Sequence, residues 1–364
     1  MTNLRIPGPT PCPDEVLKEM GRQMINHRGP EFARILNDVT DKLKKLFITN
    51  NDVFLFTGSG TGGLEAAVVN TLSPEDKVLS VSIGVFGDRF AAIAKQFGAE
   101  VTALNFEWGK AADTDEIRRA LKKEPAIKAV LVTHNETSTG VTNDLAKISS
   151  VVKYFDKLLL VDAISSLGSI ELPVDEWHCD VTVTGSQKGW MVPPGLTMVA
   201  VSDEAWQANA EAKMPRFYWD LAKAKSYLEK GQTPWTPAIS VVFALLVALD
   251  MMLKEGLPNI IARHARMAEK ARNGVKALGL NLFAEKGYAS NTVTSIAASD
   301  GLDVKELLRI LREEHQTVLG GGQQHLSGKI FRIGHLGWVT DEDIDNVLKS
   351  LKIALPQAGF RSNK

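Results

Sequence analysis

Short, nearly continuous apolar runs alternate with longer amphipathic stretches through the first two hundred residues of the chain. Runs of this kind are typical of strands that are covered on both faces, and the stretches between them have helical spacing. The predicted strands lie at 52–58, 76–84, 100–106, 127–134, 157–164, 179–186 and 196–202. The alternation predicts an α/β fold with a mostly parallel central sheet.

The pattern changes near residue 240. A long helical stretch runs to residue 279, and it is followed by apolar segments at 291–299 and 329–337 and by amphipathic segments at 304–315 and 341–355. This succession of helical and apolar segments predicts a smaller α+β domain. We therefore expect an N-terminal arm at 1–15, a large domain at 16–250 and a small C-terminal domain at 251–364.

Composition narrows the functional classes. The chain has 364 residues, 44% of them hydrophobic, and a formal net charge of −1 from 42 basic and 43 acidic residues. A balanced charge argues against nucleic-acid or membrane-surface partners, and no segment reaches the ~20 apolar residues that span a bilayer. The first residues lack the apolar stretch of a signal peptide. Cys12 and Cys179 are far apart in sequence and suggest neither a disulfide framework nor a metal site. We expect a cytoplasmic protein.

Glycine-rich or polar residues follow several predicted strands. The segment 56–63, FTGSGTGG, joins a strand to a helix, and its backbone N–H groups would suit an anionic phosphate. It is not a Walker motif, because no Gly-Lys-Ser/Thr follows. Its glycine spacing also matches many ordinary turns between a strand and a helix. This segment alone therefore fits a phosphate-binding turn and an ordinary turn equally well.

Two charged residues and one polar cluster stand at other strand ends. Asp162 ends a strongly apolar strand, where a carboxylate needs a partner or caps the next helix. Lys188 stands where an apolar strand gives way to a tight loop, so its amine either reaches water or is occupied. The segment 132–140, VTHNETSTG, carries several hydrogen-bonding side chains, which turn chemistry alone also explains.

Taken together, these features indicate one cofactor. A desolvated lysine amine can form a Schiff base with an aldehyde, an aspartate can keep a pyridine nitrogen protonated, and a glycine-rich turn can hold a phosphate. An aldehyde, a pyridine nitrogen and a phosphate are the three functional groups by which a protein can hold pyridoxal 5′-phosphate. The combination therefore predicts this cofactor.

The chain also resembles a known family. IPGPTPCP, GSGTGGLEAAVVN, GVFGDR, THNETSTG, VDAISSLG, GSQKGWMVPPG and FRIGHLG follow in the order found in class V aminotransferases of PLP fold type I. Within that family the chain is most similar to the alanine/serine–glyoxylate (serine–pyruvate) group, and the likeness runs from about residue 5 to about residue 350. It implies a large PLP domain, a smaller C-terminal domain and a homodimer with active sites at the interface.

The resemblance assigns roles around the cofactor ring. Lys188 would hold the cofactor aldehyde as a Schiff base and move the substrate proton. Asp162 would bind the pyridine nitrogen, Phe86 would stack on the ring, and Thr137 would form a hydrogen bond with the phenolic oxygen of the ring or with its neighbour. Many relatives carry tryptophan at the position of Phe86, so the stack expected here would be smaller but still aromatic.

The resemblance also assigns residues to the phosphate and the substrate. The phosphate would be held by Ser59, Gly60, Thr61 and Gln187, and by Thr236 of the partner subunit. Arg332 would bind the substrate carboxylate with its planar fork, and the backbone near Gly8 would line the substrate pocket.

One position departs from the family pattern. Some relatives carry a tyrosine at the position of Thr233, where it touches the cofactor phosphate of the partner. A threonine is too short for that contact, and nothing in the sequence shows that Trp235 replaces it.

These features predict ping-pong transamination from alanine or serine to glyoxylate or pyruvate. Only Arg332 matches a carboxylate-binding position, and Arg28 is interpreted as structural, so aspartate and glutamate are expected to be poor donors. Ureidoglycine–glyoxylate aminotransferase stays open as an alternative. A cysteine desulfurase-like lyase would need a late cysteine, which residues 180–364 lack. A non-catalytic, hydrogenase-associated subunit is a further alternative, since some relatives bear that label.

Overall fold

The computed structural model describes residues 2–361. Its strands are β1 Asn3–Arg5, β2 Asp52–Gly58, β3 Lys77–Ser82, β4 Glu100–Asn105, β5 Ile127–Thr133, β6 Asn135–Glu136, β7 Val141–Thr142, β8 Leu158–Asp162, β9 Val181–Gly185, β10 Gly195–Val201, β11 Asn281–Leu282, β12 Val293–Ala297, β13 Thr317–Gly321 and β14 Ile330–Gly334. Its α-helices are α1 Asp14–Glu19, α2 Pro30–Phe47, α3 Gly60–Thr71, α4 Val85–Gln96, α5 Thr114–Lys123, α6 Leu145–Tyr154, α7 Asp203–Glu211, α8 Leu221–Leu228, α9 Ile239–Glu255, α10 Leu257–Ala277, α11 Val304–His315 and α12 Asp341–Gln357.

A seven-stranded sheet forms the centre of the large part of the molecule. Its strand order is β2-β10-β9-β8-β5-β3-β4. β10 runs antiparallel to both of its neighbours, whereas the pairs from β9 to β4 are all parallel. The α/β fold and the mostly parallel sheet predicted from the apolar runs are confirmed.

Apolar clusters cover both faces of this sheet. Helices α2 and α9 pack together on one face, and the long apolar run of α9 is buried there with Leu245, Leu249 and Met252. Helix α3 lies on the other face, where Leu64 and Val68 contact the sheet residue Val183 and its neighbours. Burying side chains of this size stabilises a fold by about 1.5–3 kcal/mol each. This burial on both faces explains why the central strands are apolar almost throughout.

The second sheet is smaller and has the order β1-β13-β14-β12-β11. β1, from the N-terminal arm, pairs in parallel with β13, and Arg5 forms an ion pair of 2.9 Å with Asp343 of α12. The arm is thereby tied to the C-terminal part of the chain. The boundary predicted near residue 250 falls inside α9, and a break at Gly256 separates α9 from α10. Residues 1 and 362–364 of the predicted arm and small domain lie outside the described residues.

The polar segments singled out in the sequence follow the carboxyl ends of parallel strands. β5 leads into residues 134–138, β8 ends at Asp162, β9 ends two residues before Gln187, and β2 leads into the turn before α3. In open α/β sheets, ligands bind outside this edge. The fold therefore brings distant segments of the sequence to one place.

Candidate active site

A cavity of about 240 Å³ lies at this edge of the large sheet. Its lining includes every predicted cofactor-binding residue except Thr236. The lining residues are Ser59, Gly60, Thr61, Leu64, Phe86, Arg89, Asn135, Thr137, Asp162, Ile164, Ser165, Gln187 and Lys188. Segments more than a hundred residues apart thus build one site.

Lys188 extends from the loop after β9 into this cavity. Its Nζ donates a hydrogen bond of 2.5 Å to the carbonyl oxygen of Pro7. Burial lowers the pKa of the Lys188 amine to about 8, with the charge of Asp162 opposing the shift and those of Arg332 and Arg89 adding to it. The amine is therefore much more readily neutral, and more nucleophilic, than an exposed lysine near neutral pH.

Asp162 is 4% exposed and lies at the end of β8. Its Oδ1 accepts a hydrogen bond of 3.0 Å from the backbone N–H of Ile164. The chain after it forms turns and no helix, so Asp162 caps no helix. Burial is the main reason that the pKa of its carboxyl group is raised to about 7; the charge of Glu136 adds to this shift, and the N–H of Ile164 and the charge of Lys188 oppose it. A buried carboxyl group with a single such bond has capacity for another donor.

The turn before α3 presents unused backbone donors to the cavity. Ser59 is the N-cap residue of α3, but its side chain makes no capping hydrogen bond. The first N–H groups of a helix have no partner within it, and here they are those of Gly60 and Thr61. A Cβ at Gly60 would lie 2.5 Å from Ile164, so a larger residue would disturb this wall of the cavity. Within the described residues, the buried Oε1 of Gln187 has no hydrogen-bond partner.

Thr236 is exposed and lies in a separate groove with Tyr218. It does not line the cavity of its own chain. The guanidinium of Arg28 donates to the carbonyl oxygens of Thr233 and Pro234, at 2.7 and 3.1 Å. Arg28 therefore holds this segment in place, as its structural interpretation predicts. Thr233 donates to the carbonyl oxygen of Trp235 at 2.7 Å.

Arg332 is 7% exposed and is not among the residues that line the cavity, although it contacts the lining residue Thr137. Its Nε and Nη2 both donate to the carbonyl oxygen of Gly321, and its Nη1 donates to that of Thr137 at 2.8 Å. Burial lowers the pKa of its guanidinium to about 10, and the charge of Glu136 opposes this shift. Backbone carbonyls thus fix a buried cation next to the site.

Gly8 lies directly against the Lys188 side chain. A Cβ at this position would be 2.6 Å from Lys188 Nζ, and the backbone φ of +124° is one that side chains other than glycine rarely adopt. Only glycine fits here without moving the lysine.

Arg89 lines the cavity and was not identified from the sequence. Its guanidinium carbon lies 4.9 Å from the centre of the Phe86 ring, and its Nη1 lies 3.5 Å from Thr61 Oγ1. Among the described residues no acidic side chain forms an ion pair with it. Because residues three apart share a helix face, its spacing from Phe86 in GVFGDR was a usable signal.

Metal ligands, membrane-spanning helices and reactive cysteines were also considered in the sequence. In residues 2–361 no group of three or more His, Cys, Asp or Glu side chains could hold a metal ion. No helix in the same range is long and apolar enough to cross a membrane. Cys12 and Cys179 are free, and burial raises their pKa to about 11 and about 12. Thiols of this kind are poor nucleophiles near neutral pH.

Comparison with known proteins assigns the family. The chain is 44% identical to the soluble hydrogenase 42 kDa subunit of Anabaena cylindrica, over 99% of this chain and 94% of that protein. It is 39% identical to the L-aspartate–glyoxylate aminotransferase of Paracoccus denitrificans, over 92% of this chain and 86% of that protein.

The fold gives the same grouping. The crystal structure of an alanine–glyoxylate aminotransferase from Nostoc sp. superimposes with a TM-score of 0.94 at 31% identity, and the match covers 97% of this chain and 95% of that one. The family model of class V aminotransferases matches residues 3–347. Since that match spans nearly the whole chain and the fold agrees with it, this protein belongs to the class V aminotransferases.

Proposed function

We propose that this aminotransferase binds pyridoxal 5′-phosphate in the cavity and moves an amino group from alanine or serine to glyoxylate or pyruvate by a ping-pong mechanism. The observation that carries the proposal is that one cavity holds a lysine amine of lowered pKa, a buried aspartate and a turn with free backbone donors. These groups correspond to the aldehyde, the ring nitrogen and the phosphate of the cofactor.

The residues present fit the cofactor. The buried Oε1 of Gln187 has no partner, and the side-chain amide beside it can turn its N–H groups towards a phosphate. The N–H groups of Gly60 and Thr61 would bind phosphate oxygens at the positive end of the α3 dipole. Asp162 has a free oxygen for a protonated ring nitrogen, which would favour its charged form and lower its pKa again.

Lys188 would act as nucleophile, and afterwards as proton carrier. When bound, the cofactor supplies an aldehyde and an electron-accepting ring. The lowered pKa of Lys188 makes its amine available for attack near neutral pH. The same amine, once free, can take the proton from the substrate α-carbon and return it, with Gly8 leaving space for this movement.

Arg332 would bind the substrate carboxylate. Three of its hydrogen bonds go to backbone carbonyls, and a fourth, the longest at 3.3 Å, goes to Gln323 Oε1. A carboxylate would displace Gln323 and use the N–H of Nη2 that is left over. Because the backbone contacts stay in place, the guanidinium is already oriented before substrate binds.

The proposed active unit is a homodimer. Thr236 lies outside the cavity of its own chain and is exposed, as a residue that contacts a partner's site would be. Phe217 is 71% exposed and stacks on Trp235 near this segment, which leaves an aromatic surface open in the single chain. Both observations support assembly through this side of the molecule.

The absorbance spectrum of the purified protein tests the cofactor. A visible band that borohydride reduces and fixes to Lys188 supports the proposal, and Lys188→Ala should lack the fixed product. A colourless protein that PLP does not colour would contradict it and favour the hydrogenase-associated alternative. Alanine or serine with glyoxylate or pyruvate should then show parallel lines in double-reciprocal plots, as ping-pong kinetics require.

A second candidate is transfer from a dicarboxylic amino acid such as aspartate. Arg89 supports it, because a guanidinium without an acidic partner lines the cavity, and a relative named L-aspartate–glyoxylate aminotransferase shares 39% identity. A site that pairs a distal carboxylate discriminates strongly for it.

The donor panel separates the two candidates. Under the first candidate, kcat/KM with glyoxylate is highest for alanine or serine, and Arg89→Gln changes all donors alike. Under the second, aspartate is the better donor, and Arg89→Gln lowers its kcat/KM at least tenfold more than that of alanine. Arg118→Gln, which removes an arginine that lies 5.5 Å from the centre of the exposed Tyr154 ring and outside the cavity, is the matched loss of a cation.

A further inference from the structure

Glu136 is a fully buried carboxylate that the proposed reaction does not use. Its exposed fraction is 0%, and it lies in the short strand β6 between the cavity residues Asn135 and Thr137. Within the described residues it forms no ion pair with any lysine, arginine or histidine. A buried carboxylate needs other donors, or its burial would be strongly unfavourable.

Those donors come from the first turn of α4 and from Ser138. Glu136 Oε2 accepts from the backbone N–H groups of Phe86 and Gly87, at 2.9 and 3.1 Å. Glu136 Oε1 accepts from the backbone N–H and the hydroxyl of Ser138, at 3.0 and 2.6 Å. The Ser138 hydroxyl in turn accepts from the N–H of Val85 at 3.0 Å.

Glu136 therefore replaces the local cap that α4 lacks. The N-cap residue is Gly84, which has no side chain to accept a hydrogen bond. A Cβ there would lie 2.6 Å from Glu136 Cγ, so the missing side chain is also what allows the two segments to approach. A carboxylate at a helix N-terminus is favoured by the helix dipole as well.

This cap fixes a ring of the active site. Phe86 is the residue whose own N–H is bonded to Glu136, and its side chain lines the cavity. Phe86 is partly exposed, and the guanidinium carbon of Arg89 lies 4.9 Å from the centre of its ring. The hydrogen bond at the backbone of Phe86 therefore helps to fix where the ring lies.

We propose that Glu136 is a positioning residue that holds the Phe86 ring over the cofactor site by capping α4 from a different strand. The inference rests on the proposed cofactor. In Glu136→Gln the amide presents one oxygen and one donor nitrogen to four donors, so either the α4 pair or the Ser138 pair loses its acceptor. The α4 turn would loosen and the ring would lose its fixed height above the cofactor.

A double-mutant cycle on cofactor affinity tests this. The variants are Glu136→Gln, Phe86→Leu and the double variant, and the measured quantity is the PLP dissociation constant of each apoprotein. An aromatic stack is worth about 0.5–1.5 kcal/mol, so each single change should weaken PLP binding by roughly 2- to 12-fold. If Glu136 acts through Phe86, the double variant should be no weaker than the weaker single variant.

One further readout and one control variant separate positioning from general stability. The visible circular dichroism of bound PLP should change in the same way in Glu136→Gln and in Phe86→Leu. Asp303→Ala removes the cap of α11, where Asp303 Oδ1 accepts from the N–H groups of Lys305 and Glu306. This control should leave the PLP dissociation constant and the dichroism unchanged.

The outcomes that overturn the inference are distinct from failure of the cofactor proposal. If wild type binds PLP but the two losses multiply in the double variant, Glu136 does not act through Phe86. If wild type does not bind PLP at all, the cofactor proposal itself fails. Should Glu136→Gln not fold, Ser138→Ala takes its place in the cycle, because it removes the hydroxyl that joins Glu136 to Val85.

Discussion

The lysine amine of the cavity should lower the stability of the apoprotein, and the structure gives the size of the effect. Burial lowers the pKa of Lys188 from 10.5 to about 8. Each unit corresponds to about 1.4 kcal/mol, so carrying a charged Lys188 disfavours the folded state by about 3 kcal/mol near neutral pH. Lys188→Met removes this charge while keeping a side chain of similar length.

The sign follows from proton linkage. Between about pH 8 and pH 10.5 the unfolded chain holds a proton on Lys188 that the folded chain has released, so stability rises with pH in this window. We therefore expect wild type to gain about 2 kcal/mol relative to Lys188→Met between about pH 7 and pH 9.5. Asp162 changes the difference in the same direction. In Lys188→Met the ammonium that lowers the pKa of Asp162 is missing, so this pKa is higher than in wild type. The variant therefore loses stability over this pH range as the buried carboxyl group ionises.

Urea unfolding of both apoproteins at fixed protein concentration measures this difference. Lys188→Met also loses the hydrogen bond to Pro7, so the pH dependence of the difference is the informative quantity rather than its value at one pH. Lys349→Met, at an exposed position of α12, should show no such dependence. A difference between wild type and Lys188→Met that stays constant across this range would refute a buried, destabilising ammonium.

The remaining predictions concern catalysis and assembly. Asp162→Asn should raise the activation free energy for alanine with glyoxylate by roughly 3–4 kcal/mol and lower kcat/KM accordingly. Turnover like that of wild type would show that the charge of Asp162 is not needed. Arg332→Ala should lower kcat/KM for all donors by about 2–4 kcal/mol; it should also lower the free energy of unfolding, because the carbonyls of Gly321 and Thr137 lose their donor. Unequal losses among donors would contradict a shared carboxylate clamp. Mixing inactive Lys188→Ala subunits with subunits inactivated by disruption of the loop at Thr236 should restore activity in hybrid dimers, which have one intact site. A protein that sediments as a monomer and is fully active would exclude that arrangement.

The local chemistry of the site was readable from the sequence. Strand ends were marked by the apolar runs, and Lys188, Asp162 and the turn at Ser59 stand at such ends in the structure. In a parallel sheet the carboxyl ends of the strands share one edge, so residues at these ends converge whatever their separation along the chain. The apolar runs therefore placed Lys188, Asp162 and the turn at Ser59 at one edge of the sheet, whereas Phe86, Thr137 and Gln187 were assigned by the resemblance to the family.

Contacts between segments far apart in sequence were decided only by the tertiary structure. Glu136 caps a helix some fifty residues earlier, Arg28 holds carbonyls near residue 233, and the three-residue strand β1 pairs with β13. None of these leaves a periodic signal, because each depends on where a single side chain or a short backbone segment meets a distant partner. Arg89 differs from these three contacts, because its spacing from Phe86 already places both residues on one helix face. Only the folded cavity shows that its guanidinium lines the site and is a candidate for binding the substrate.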